Sequence, residues 1–142
     1  TREKGLDRHF RFFGYVELPD AFELIKNFDF GVVTWGYLAK NHLHTAMKIM
    51  DYMCCAVSVC SLRLKEQVQS TQNIGIHADT FAQIATGMIH VFQQRAEYEL
   101  LREETLNHFN RVLSWELQSQ KLIDAYGSLL NGNAPNTLPL AE

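Results

Sequence analysis

No proline occurs between Asp79 and Leu130. A stretch of that length, with nothing to interrupt the helical hydrogen-bond ladder, is free to be helical throughout. Its apolar residues fall at helical spacing: Phe81, Ile84, Met88, Val91 and Phe92, then Leu106, Phe109, Leu113, Leu117 and Tyr126. A single rod would be about 78 Å long at 1.5 Å per residue, which suits an extended dimer. A hairpin instead buries the two stripes against each other, as compact domains prefer. Glu103 and Glu104 cannot enter an apolar core unpaired, so the turn is expected at Glu103 to Thr105, with Thr105 capping the last helix. The expectation is two long C-terminal helices, Asp79 to Glu99 and Thr105 to Leu130.

A second amphipathic stretch precedes them. Leu43, Met47, Met50, Cys54, Val57, Ser61, Leu64 and Val68 trace one stripe in steps of three and four, which predicts a long helix from His42 to about Ser70 with Asn41 as its cap. Gly75 and the polar run Gln69 to Asn73 end it, and Asp79 caps the next helix. Nearer the start, a short amphipathic helix is expected to stop near Val16, and Pro19 opens another over Asp20 to Phe28. The β-branched run in Asp29 to Gly36 would support a strand, but no partner strand is evident; it reads as a loop leading into a helical turn at Tyr37 to Lys40. The fold class expected is all-α, one helical domain over residues 1–130 with a tail or linker at 131–142.

Composition narrows function chiefly by exclusion. A chain of 142 residues can bury a core without staples, and 46% hydrophobic and 20% charged residues with net charge −3 give no nucleic-acid-binding profile. The most apolar run, Met53 to Leu62, is too short to span a bilayer, and no signal peptide is evident, so a cytoplasmic protein without membrane insertion is expected. Opening on Thr1-Arg2-Glu3-Lys4, it reads as a domain of a longer protein. Cys54, Cys55 and Cys60 lie within seven residues of one expected helix, where their side chains do not meet disulfide geometry; they read as small core residues in a reducing compartment.

His42 and His44 are two apart and point to different sides of a helix, and no His-x-x-x-His pair exists. Glu97, Glu99, Glu103 and Glu104 interleave with Arg95 and Arg102 as on a solvated helix face. Met47, Met50, Met53 and Met88 read as core filling. There is no Gly-rich phosphate loop, nucleophile elbow or Walker-type run. Enzymatic activity is the least supported class, and no catalytic or metal-binding residue is nominated.

Two segments resemble the sensor-globin group, the globin-fold input domains of signalling proteins and their haem-free, stressosome-type relatives. Ile74-Gly75-Ile76, followed by Phe81, Ile84, Ile89 and Phe92, is similar to the turn joining that group's F and G helices. Leu117 to Tyr126 is similar to the end of its H helix. The resemblance implies a globin-like helical bundle acting as a non-enzymatic sensory or regulatory input domain. It would signal through a homodimer interface at Phe109, Val112, Leu113, Leu117 and Tyr126, toward an effector domain or protein partner. The family's haem-ligating position falls on Thr71, which implies the haem-free branch and no cofactor. Two alternatives accompany this reading: a helical-bundle interaction or scaffold module, and a haem-binding gas sensor using the displaced His77.

Overall fold

The computed structural model describes residues 4–131. Its organising element is a sheet. Three parallel strands, β1 (Phe30–Val33), β2 (Ser58–Leu62) and β3 (Ile76–Ala78), lie in the order β1-β2-β3, with Phe30 opposite Ser58 and Cys60 opposite Ile76. The all-α, globin-like expectation is therefore corrected to a mixed α/β fold. The run at Asp29 to Gly36 does form a strand, and its partner lies inside the stretch expected to be the His42 to Ser70 helix.

That stretch divides into three elements: α2 (Met47–Cys54), strand β2, and α3 (Lys65–Ser70). It breaks after Cys54 because the chain enters a Schellman turn. Ala56 takes the left-handed conformation (φ 57°), its N–H bonds to the Met53 carbonyl at 3.1 Å, and the Val57 N–H reaches the Tyr52 carbonyl at 2.9 Å. A residue with a Cβ is strained there, by about 1–2 kcal/mol in the left-handed region. Ala56→Gly should therefore stabilise the domain by about 0.5–1 kcal/mol after glycine's greater chain entropy is offset, read as a higher urea midpoint with unchanged slope.

Alternation along the strands sends side chains to two covered faces. Val33 and Val59 join Ala46, Ile49 and Met53 of α2 and its cap in one cluster, with Trp35, Tyr52, Phe109 and Leu113 packed against it. Cys60 and Leu62 join Leu64 and Ile84 on the other face, where Phe30, Val32, Ile76, Ala78 and Met88 close the layer. The sheet is thus sandwiched between α2 and α4 (Phe81–Gln93), which is how parallel sheets are normally covered. All five strand positions from Ser58 to Leu62 are buried.

The expected two-helix hairpin becomes three helices: α4, α5 (Arg95–His108) and α6 (Trp115–Leu130). The first break is at Gln94, and the second is a π-helical turn at Phe109–Leu113 ending at Ser114. The expected turn at Glu103 to Thr105 lies inside α5, where Thr105 is fully buried and its hydroxyl donates to the Leu101 carbonyl at 2.7 Å. Its glutamates face water on one side of an ordinary amphipathic helix, so no break is needed to expose them. At the start of α4 the cap is Thr80, whose capping box with Gln83 satisfies both partners' backbone N–H groups.

α5 is held to the sheet by Tyr98. Its ring lies edge-on to Phe30 and Phe92, 5.9 Å from each, its hydroxyl donates to Asp29 Oδ1 at 2.9 Å, and Arg102 Nη1 donates back to it at 3.0 Å. The expected helix at Asp20 to Phe28 appears as α1 (Leu18–Ile25), with Pro19 in its first turn. Ahead of it, the described part of the expected helix ending near Val16 has no α-helix; a 3-10 turn stands at Asp7–His9. The helical turn expected at Tyr37 to Lys40 is a 3-10 turn at Ala39–His42. The expected tail lies, from residue 132 on, outside the described residues. No described helix is long and apolar enough to cross a membrane.

Candidate functional site

Parallel strands with returning helices bring the carboxyl ends of the strands and the amino ends of the helices to one edge. Ligands of open α/β sheets gather at that edge because peptide dipoles and free N–H groups converge there. Here it is formed by the segments after Val33, Leu62 and Ala78, which lead to α2, α3 and α4.

The segment after β1 is the long one. Thr34, Trp35, Gly36, Leu38, Lys40, Asn41 and His44 line an open cleft of about 520 Å³. Asn41 shapes it: nearly buried, it donates from Nδ2 to the Gly36 carbonyl at 2.8 Å, while its backbone N–H bonds to the Leu38 carbonyl at 2.8 Å. These bonds fold the loop back on itself and leave the Lys40 and His44 side chains exposed at the rim. Trp35 packs against both hydrophobic clusters, so this side of the cleft is anchored to the core.

α2 begins beside this loop without a side-chain cap, its N-cap being Ala46. α4, by contrast, has its first turn closed by Thr80 and Gln83. The uncapped start leaves backbone donors available to an anion, and Lys48 adds a cation in the first turn. Asp51, farther along α2, is held above the usual carboxylate range by burial, with the Lys48 ammonium opposing.

A second cleft, about 330 Å³, opens at the opposite edge between Gln72, Ile74, Glu104, Asn107, His108, Arg111 and Val112. It lies by the amino end of β3, where no helix start faces it, and Glu104 places a carboxylate at its wall. An anionic ligand is better served by the carboxyl edge.

His77 lies in neither cleft. It is 8% exposed, with Nδ1 2.8 Å from Ser61 Oγ and Nε2 2.9 Å from Thr71 Oγ1 and 3.3 Å from the Ile74 carbonyl. A carbonyl only accepts, so the ring proton is assigned to Nε2 and Nδ1 is an acceptor; the single Ser61 hydroxyl proton is shared between Nδ1 and the Leu62 carbonyl, 3.0 Å from the same oxygen. Burial lowers the His77 pKa, the Ile74 carbonyl opposes this, and the Arg63 charge adds to the lowering. Both ring nitrogens are committed to the fold, with the Thr71 hydroxyl as one of their partners. The imidazole that the gas-sensor alternative needs would have to break this network to reach an iron.

The expected interface residues separate. Phe109 and Leu113 pack against the core beneath α2, Val112 is half-buried in the π-helical turn, and Leu117 and Tyr126 are exposed on α6. Trp35, Lys40, Asn41 and His44 were not nominated by sequence reasoning as one site. The available signal was an apolar run ending at Val33, followed by a loop carrying lysine and histidines and then an amphipathic segment. Among the described residues no three His, Cys, Asp or Glu side chains gather as a metal-binding group. Comparison with protein-family models, with curated proteins and with solved structures found no match for this chain.

Proposed function

We propose that this domain binds a small anionic, ring-bearing molecule, of the nucleoside diphosphate kind, in the cleft after β1. The observation that carries the reading is the position of that cleft at the carboxyl edge of a parallel sheet, beside the uncapped start of α2. Lys40 and His44 supply donors for phosphate oxygens at the rim, and Trp35 supplies an aromatic wall. The inference from fold to ligand class is by analogy with other open α/β sheets.

Trp35 also reports on the site. In a Trp115→Phe background, which removes the exposed second tryptophan, titration with ADP, UDP and inorganic pyrophosphate should give saturable fluorescence changes for at least one of them. Lys40→Ala should weaken that binding about tenfold, the worth of one charge-assisted hydrogen bond of about 1.5 kcal/mol. Flat titrations with all three would overturn the reading.

A second reading is a regulatory module of the reducing cytoplasm that acts through a helical interface. It is favoured by α6, which has no buried residue and exposes Leu122, Ile123, Tyr126 and Leu129. It agrees with the free thiols of Cys54, Cys55 and Cys60. Light scattering with and without the best ligand separates the two: a dimer indifferent to ligand supports the regulatory module, and a monomer that binds supports the ligand domain.

A further inference from the structure

β1 is an edge strand. It pairs with β2 on one side, and among the described residues nothing bonds to the N–H and C=O groups that it turns the other way. Beside it, Phe30, Met88, Ile89 and Phe92 form an apolar groove of about 220 Å³, with Asp29 as its charged member. A second unpaired strand precedes α1. Phe10 has extended backbone (φ −120°, ψ 136°), its ring stacks on that of Phe12 at 6.2 Å, and the Arg11 guanidinium lies 4.7 Å over the Phe13 ring. Contacts between residues two apart, on both sides of the chain, have the period of a β-strand. Among the described residues, no backbone group of residues 11–16 bonds to another. Phe10, Phe12, Phe13 and Tyr15 are all exposed, Phe12 by 81%.

We propose that residues 10–13 of one copy of this chain pair with the outer edge of β1 in a second copy, reciprocally, so that two arms and two edges close a dimer. Each copy carries both halves of the contact, which is what a two-fold, self-complementary interface requires. The arm also matches β1 in length: β1 has four residues, and the extended run from Phe10 stops at Gly14, whose φ of 68° leaves the strand conformation. Pairing satisfies the open backbone groups of both strands, and alternation sends Phe10 and Phe12 to one face, where the apolar groove receives them. Within one chain the two strands stand unpaired although only α1 and its turns separate them, which leaves the pairing to a second copy. The four aromatic side chains expose roughly 400–650 Å² per arm, and two arms with the surfaces they cover reach the range of about 1,200–2,000 Å² typical of stable interfaces. This contact uses neither the ligand cleft nor α6 and rests on neither reading of function.

Light scattering on the full chain should show a dimer that dissociates on dilution between about 100 and 1 μM. Phe12→Asp should shift that equilibrium at least tenfold toward monomer with unchanged circular dichroism, since the ring lies outside both core clusters. Leu122→Asp on α6 should leave it unchanged, which separates this dimer from one built on α6. Hydrogen exchange on the unaltered chain should show the amides of residues 11–13 and of β1 protected together in the dimer and at least tenfold less after dilution, so the matter is decided even if a variant fails to fold. A monomer at every concentration, or a dimer that is lost with Leu122→Asp and kept with Phe12→Asp, would overturn the proposal. Protection of the arm in a monomer, the mark of an arm docked on its own β1, would overturn it as well.

Discussion

Gly75→Ala should destabilise the domain by about 3–5 kcal/mol, combining the ranges for backbone strain and overpacking, enough to unfold most of a marginally stable chain. Gly75 has φ 122°, outside the regions open to residues with a Cβ, and it precedes β3 directly. A Cβ placed there would run into the Val59 carbonyl of the central strand and approach His77 Nε2 to 3.3 Å. Neither neighbour can move cheaply, since one is sheet backbone and the other is held on both sides. Gly127→Ala is the matched control: nothing lies within 4 Å of its Cβ position in α6, so helix propensity alone should stabilise by about 0.5–1 kcal/mol. Urea unfolding of the two variants should give shifts of opposite sign. Equal shifts would mean that the approach of Gly75 to Val59 does not constrain the fold.

His77→Ala should cost about 2–4 kcal/mol, because it removes a buried ring and leaves the Ser61 and Thr71 hydroxyls facing a void. The variant should also lose a pH dependence. In the unfolded chain His77 titrates near 6.5, whereas in the fold its pKa is lowered, chiefly by burial. The unfolded state therefore binds more protons between those two values. The stability this group contributes is full above about pH 6.5 and is lost progressively as pH falls from there through the folded pKa. Urea midpoints measured from pH 7.5 down to about 5 should fall more steeply for the unaltered protein than for His77→Ala. Parallel slopes would refute a buried, neutral His77.

Helix boundaries signalled by their own residues were legible from the sequence. Pro19 marks the start of α1 and the last helix ends at Leu130 before Asn131, whereas the cap of α4 is Thr80, one residue past the expected Asp79. The sheet was not legible, for a specific reason. Val57 to Leu62 is a short apolar run buried on both faces, and periodicity cannot tell such a strand from a turn of buried helix. Its residues happened to continue the three- and four-residue steps of the stripe through Met50 and Cys54. With β2 taken as part of a helix, the β-branched run at Val32-Val33 has no partner and reads as a loop. The resemblance at Ile74-Gly75-Ile76 drew on a real constraint, a glycine-dependent turn, but that turn opens a strand rather than a helix. The candidate cleft was hidden for the same reason, since a carboxyl edge exists only when there is a sheet to have one.

The parallel sheet also sets how this chain must find its structure. Neither pairing of β2 is local: Phe30 meets Ser58 across 28 residues of chain, and Cys60 meets Ile76 across 16. With no hairpin to nucleate from, folding has to close both loops before the strands reward it, which places the barrier at the assembly of β2. Contacts of β2 are then formed early and those of α6 late. Truncation at Val59 should slow refolding, whereas substitutions on the exposed helix α6 should leave the folding rate unchanged and alter only how quickly the native state opens.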